Sequence, residues 1–275
     1  MPALAIAAAV RIGVFGLFHP ALFEIQPARG GVLVIESHGR EQVLEGAASV
    51  RLRSAARVTG RDGAEAAFVL SVPGKIRREF YGRLEIKEQG SRLAAIVEMD
   101  LETAVGSIVA AEGADTTPLE ARKAQAVVAR SFLTAARGRH AGFDFCDTTH
   151  CQFLRSPPAE SSAAFQAASQ TRGMALNYDG RVIAALYSAD CGGRTRTLEQ
   201  AGWGGQEISG YPYFAVECPV HGAVSGHRIG MCQAGAAEMA RRGAGFREIL
   251  GRYFPAAAIA SLNHTAERGL RSNAP

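Results

Sequence analysis

Between Val105 and Gln152 the chain gathers residue types that can do chemistry. Glu112 stands in the run SIVAAEGA, where small apolar neighbours offer its carboxylate no local charge partner. Desolvation in such a setting favours the protonated acid. A protonated Glu can donate to the departing oxygen of a glycosidic bond. Downstream, His140, Cys146, His150 and Cys151 fall in one short stretch, HAGFDFCDTTHC. One imidazole and two thiolates, from His140, Cys146 and Cys151, suit Zn(II) with an open fourth position, which His150 can fill. A Cys146–Cys151 disulfide with an idle histidine is the competing reading of the same residues.

These groups need elements to position them. LETAVGSIVAAE, residues 101–112, suits a helix with Leu101, Val105, Ile108 and Val109 on one side. The next helix opens at Thr117-Pro118-Leu119-Glu120, which reads as a capping box with Pro at the first helical position. It is expected to run to about Arg137 and stop at Gly138, with Ala124, Val128, Ser131, Phe132 and Ala135 as its core stripe. Lys123, Arg130 and Arg137 recur at a spacing of seven and share nearly one face. Upstream, RIGVFGLF, GVLVIE, AAFVLSV, FYGRLEI and LAAIVEM are short apolar or alternating runs between charged and Gly-containing turns, hence strands. Downstream, short helices are expected over 162–172, in GHRIGMCQAGAAEMARRG and in GFREILGRYFP, with RVIAALYSA a strand.

With 275 residues, 47% hydrophobic and 20% charged, the chain can bury a substantial core and is not broadly disordered. The net charge of +4 comes without a dense basic run, which argues against nucleic-acid binding and suits, weakly, an anionic polymer. No apolar run reaches the roughly 18–20 residues of a membrane span, so no transmembrane segment is expected. The N-terminal MPALAIAAAV reads either as a first strand or as the remnant of a signal peptide, ending near residue 9. Five cysteines, at 146, 151, 191, 218 and 232, cannot all pair within one chain, so at least one thiol is free or metal-bound. Cys191 and Cys218 can close a disulfide if the protein is exported.

Several motifs, in order, resemble the family of stage II sporulation protein D and the LytB amidase enhancers. They are Glu112, the run Glu120 to Phe132, the loop Cys146 to Gln152, Tyr187 to Thr195, and Gly226 to Ala236, within residues 76–255. The resemblance implies an α+β fold: a strand-rich N-terminal region over 1–75, a helical catalytic core with further strands over 76–260, a cleft between lobes, and a tail over 261–275. It also implies an extracytoplasmic enzyme on peptidoglycan glycan strands, a lytic transglycosylase that cleaves the MurNAc-GlcNAc bond and leaves 1,6-anhydro ends. Glu112 would be the single acid and base. Lys123, Arg130, Tyr187, Ser188, His227 and Gln233 would bind substrate or brace the cleft, and zinc would sit on His140, Cys146 and Cys151. Two alternatives stay open: a non-catalytic enhancer of a cell-wall amidase, and a zinc-dependent hydrolase. The chain departs from the family at Gly113, where Met is common, and in the eight residues between Cys218 and His227, where relatives are longer.

Overall fold

The computed structural model describes residues 9–204 and 210–262. It is an α+β protein. The N-terminal leader-like segment and most of the proposed tail lie outside the described residues. The chain divides into two compact units. One holds residues 9–111 and Gly138–Pro158, and the other holds Glu112–Arg137 and the described residues from 159 to 262.

The first unit is built on a ten-stranded sheet. Its strands are β1 (Ala9–Val14), β2 (Phe23–Pro27), β3 (Val32–Ser37), β4 (Arg40–Glu45), β5 (Val50–Leu52), β6 (Ala56–Thr59), β7 (Ala66–Val72), β8 (Ile76–Gln89), β9 (Arg92–Asp100) and β10 (Phe145–Cys146). The main path runs β10-β1-β9-β8-β6-β3-β4, and a branch through β7, β2 and β5 leaves from β8. The β7–β8 hairpin, with Val72 opposite Ile76, spans position 75. Alternation sets the core: Val10, Ile12 and Val14 of β1, Phe23 and Ile25 of β2, and Leu33 and Ile35 of β3 point inward. Phe68 and Phe80 join them, together with Phe15 beyond the end of β1.

Helix α1 (Leu101–Glu112) follows β9 directly. The Asp100 carboxylate accepts from the amides of Glu102 and Thr103, each at 3.0 Å, and so caps the helix start. The expected apolar face is buried, together with Ala104, Gly106 and Ser107. Only the last residue of α1, Glu112, groups with the second unit.

Helix α2 (Leu119–Ala135) is the centre of that second unit, and α3 (Ala163–Gln170), β11 (Met174–Tyr178), α4 (Gln233–Arg241) and α5 (Phe246–Tyr253) pack on it. Small strands complete the unit: β12 (Arg181–Val182), β13 (Tyr187–Ser188), β14 (Asp190–Cys191), β15 (Val224–Ser225), β16 (Met231–Cys232) and β17 (Ala258–Ser261). Residues 121–122 and 124–133 of α2 are buried, so the helix has a core all round and not a stripe. Ala135, expected in that stripe, is exposed.

Two local expectations fail. The capping box does not form, because the Glu120 carboxylate instead holds Lys123 and accepts the Phe246 amide at the start of α5, at 2.8 Å. The run RVIAALYSA is not one strand but β12 and β13 joined by an irregular, buried stretch. Among the described residues no helix is long and apolar enough to cross a membrane.

Candidate active site and His/Cys cluster

Glu112 is fixed from three directions within its unit. The Tyr187 hydroxyl donates to Glu112 Oε1 at 3.0 Å. The Gln233 side-chain amide donates to the Glu112 carbonyl at 3.3 Å and to Gln125 Oε1 at 3.4 Å. The turn that follows is tied by Arg122, whose guanidinium donates to the carbonyls of Ala114 and Thr117 at 2.5 and 3.1 Å.

Topology brings Tyr187 and Gln233 together. Strands β13 and β16 pair in parallel, Tyr187 opposite Met231 and Ser188 opposite Cys232, and Gln233 then opens α4. Gly230 permits this ladder. Its φ is +72°, and a Cβ there would lie 2.1 Å from the Leu186 carbonyl oxygen.

Burial, and then the charge of Glu112, hold Tyr187 well above the ordinary tyrosine value of 10. It therefore remains a protonated donor. Gln125 is 5% exposed, and its amide meets both Gln233 and Tyr187. Ser188 Oγ is buried and unpartnered.

Other residues singled out in the sequence sit differently. Arg130 is fully buried, so contact with substrate is not what its position offers. Its guanidinium donates to the carbonyls of Ala126 and Ala168, each at 3.3 Å, and of Met174 at 3.1 Å, bracing α3 and β11 against α2. Lys123 pairs with Glu120 of its own helix. His227 Nδ1 accepts from the Ile229 amide at 3.0 Å, its ring also bonds the backbone of Tyr187, and it packs on Trp203 with centroids 5.1 Å apart. Burial lowers its affinity for a proton below the ordinary histidine range. His227 is a neutral strut beside the Tyr187 backbone.

In the other unit the His/Cys residues do converge. The ligand atoms of His140, Cys146, His150 and Cys151 all lie within 4.8 Å of one another. His140 Nε2 is 3.3 Å from Cys151 Sγ, and His150 Nδ1 is 3.5 Å from Cys151 Sγ and 3.7 Å from Cys146 Sγ. Cys146 and Cys151 are not joined. The hydrogen bond from Cys151 holds the Cys146 thiol well below the usual range, and the same contact pushes Cys151 up. One thiolate is thus already favoured in the cluster.

The loop is laced to β1. Ile12 and Gly13 pair in parallel with Phe145 and Cys146. Asp147, between Cys146 and Thr148, accepts from the Phe15 amide at 3.3 Å and from Arg78 at 2.9 Å. Both charges are nearly buried, and the Arg78 guanidinium lies over the rings of Phe15 and Phe80. Gly13 leaves room for Phe143, whose ring atoms would come within 2.6 Å of a Cβ. That ring stacks on His140 with centroids 4.6 Å apart and so sets the imidazole's orientation. The cluster fits a tetrahedral zinc site in ligand type, number and reach.

Sequence reasoning missed Gln125, Arg122, Arg78 and Asp147. The first two stand inside the EARKAQ run, whose order was legible but whose side-chain directions were not.

Residues 89–178 match the family model described as Stage II sporulation protein, SpoIID. The chain is SpoIID-like over that segment. The match takes in Glu112, Gln125 and the whole His/Cys loop, whereas Tyr187, His227 and Gln233 lie beyond it. An uncharacterized protein of Brachyspira hyodysenteriae is 32% identical over 124 residues, which make up 44% of this chain and 34% of that protein. The chain thus spans about a third of this relative's length.

Proposed function

We propose that this SpoIID-like protein works on the bacterial cell wall as a lytic transglycosylase with Glu112 as its single acid and base. The observation that carries the reading is the Glu112 carboxylate held at 3.0 Å by a tyrosine that stays protonated. Because Oε1 accepts from Tyr187, the transferable proton of the acid resides on Oε2. Oε2 delivers it to the oxygen joining MurNAc to GlcNAc as the C1–O bond breaks. The 6-hydroxyl of the same MurNAc attacks C1, closes the 1,6-anhydro ring and returns a proton to the carboxylate. Protons balance and no water is consumed, so the second carboxylate of ordinary glycosidases is not needed. Tyr187 stabilises the carboxylate between the two transfers. Gln125, which accepts from Gln233 and meets Tyr187, holds these two partners of Glu112 in place. The family resemblance is what supports glycan stripped of stem peptides as the substrate, together with an extracytoplasmic location.

His140, Cys146 and Cys151, with His150 as fourth ligand, are the residues that would hold zinc. The metal would cross-link the loop 138–151 and stabilise its unit. Catalysis by Glu112 does not require it.

Wild-type protein and Glu112→Gln are incubated with denuded glycan strands, and products are read by mass spectrometry. Anhydro-ended fragments from the wild type and none from the folded variant support the reading. Equal product from both removes Glu112 from the mechanism. No product from the wild type, with stimulation of an N-acetylmuramoyl-L-alanine amidase, transfers the protein to the enhancer reading.

A further inference from the structure

A second group of thiols lies in the unit that carries Glu112. Cys191, Cys218 and Cys232 are buried at 0%, 3% and 0% exposure, and their Sγ atoms all lie within 4.8 Å of one another. None is joined to another. They arrive from three places in the chain: Cys191 ends β14, Cys218 lies in the loop before β15, and Cys232 ends β16. The backbone hydrogen bond from the Cys218 amide to the Gly193 carbonyl, 2.9 Å, locks the first two segments together.

A backbone amide meets each sulfur, and Cys232 Sγ also reaches the Ala189 carbonyl at 3.9 Å. The Gly235 amide, in the first turn of α4, donates to Cys232 Sγ at 3.4 Å. Backbone bonds from Gly193 and Val220 reach Cys191 and Cys218. The Tyr253 hydroxyl is 3.1 Å from Cys218 Sγ. Amide and hydroxyl donors aimed at sulfur stabilise thiolates, especially metal-bound ones, far more than they stabilise a disulfide. Gly235 keeps the space open: a Cβ there would lie 2.3 Å from Cys218 Sγ and 2.0 Å from Tyr253 Oη.

A disulfide would join two of these sulfurs and leave the third buried with its donor. Three thiolates about one ion use all of them. Thiolate–zinc bonds of about 2.3 Å place neighbouring sulfurs roughly 4 Å apart, within the spread observed. A divalent cation also reduces three buried negative charges to one, which the surrounding donors share.

We infer that Cys191, Cys218 and Cys232 form a second, buried thiolate site for zinc, separate from the His140 loop. The site would staple β14, β16 and the loop at Cys218, and with them the β13–β16 ladder that presents Tyr187 and Gln233. The inference is independent of whether Glu112 cleaves glycan.

Wild-type protein purified under reducing conditions is assayed for metal and alkylated in its native state before and after chelation, with modified cysteines mapped by mass spectrometry. Two zinc ions per chain are expected, with Cys191, Cys218 and Cys232 protected until the metal is removed. Cys146→Ser/Cys151→Ser is expected to retain one zinc. If that variant does not fold, the wild-type map decides alone. Metal-free thiols at 191, 218 and 232, or a disulfide between any two of them, would overturn the inference.

Discussion

Replacing Tyr187 by Phe removes one oxygen and one hydrogen bond, and leaves the ring that fills the space beside Glu112. The lost bond is 3.0 Å long, made by an enclosed donor to a carboxylate that changes charge in the proposed reaction. Hydrogen bonds to charged partners contribute about 1.5–3 kcal/mol. At about 1.4 kcal/mol per factor of ten, kcat should fall by about 10- to 150-fold. KM should stay nearly constant, because the hydroxyl touches the acid and not the sugar. The assay is release of anhydro-ended fragments from denuded glycan over a range of strand concentrations, beside a thermal melt. The melt should move little, since Glu112 retains some exposure and water can replace the lost donor. A Tyr187→Phe enzyme within twofold of wild type, alongside an inactive Glu112→Gln, would refute the role given to Tyr187.

Other perturbations separate binding from bracing. Gln125→Leu should lower kcat about tenfold and cost some stability, because it removes the acceptor of Gln233 and the contact with Tyr187, the two side chains that hold Glu112; unchanged turnover would count against that positioning role. Arg130→Met should cost about 3 kcal/mol or more in denaturant unfolding, because carbonyls of α3 and β11 lose their donor, and Arg130→Lys should restore little of it; a neutral Arg130→Met would show that the buried guanidinium braces nothing. Chelation should lower the melting temperature of the wild type, and of Cys146→Ser/Cys151→Ser by a smaller amount; a melt that ignores chelation would count against resident zinc. The folded chain keeps His227 neutral, whereas the unfolded chain binds a proton below the ordinary value of 6.5, so stability should decline as pH falls through 6.5, and His227→Gln should flatten that slope.

The sequence was most legible where a single segment decides its own structure. The apolar spacing of 101–112 gave α1 and its buried face, because periodicity needs no distant partner. Strands β1, β3, β7, β8 and β9 followed from alternation and turn chemistry, whereas β2, β4, β5 and β6 did not, and the grouping of the four His/Cys side chains followed from their places in one short loop. The same reasoning failed at Glu120. A local cap was available to it, but the Phe246 amide, 126 residues away, took the carboxylate instead. Arg130 shows the same limit, since spacing gave it a face but not whether that face meets water or the interior.

What the sequence by itself determined is the inventory: one carboxylate in an apolar run, a His/Cys loop, an odd number of cysteines and the order of the motifs. Tertiary structure decided which of these meet. Tyr187 reaches Glu112 across 75 positions only because β13 pairs with β16 and Gly230 lets the two backbones approach. Cys191, Cys218 and Cys232 become one cluster only when β14, β16 and the loop at Cys218 fold together around α4. Periodicity describes a segment against its own axis. It carries no information on which distant segment will occupy the facing surface, and active sites and buried thiol clusters consist of such pairings.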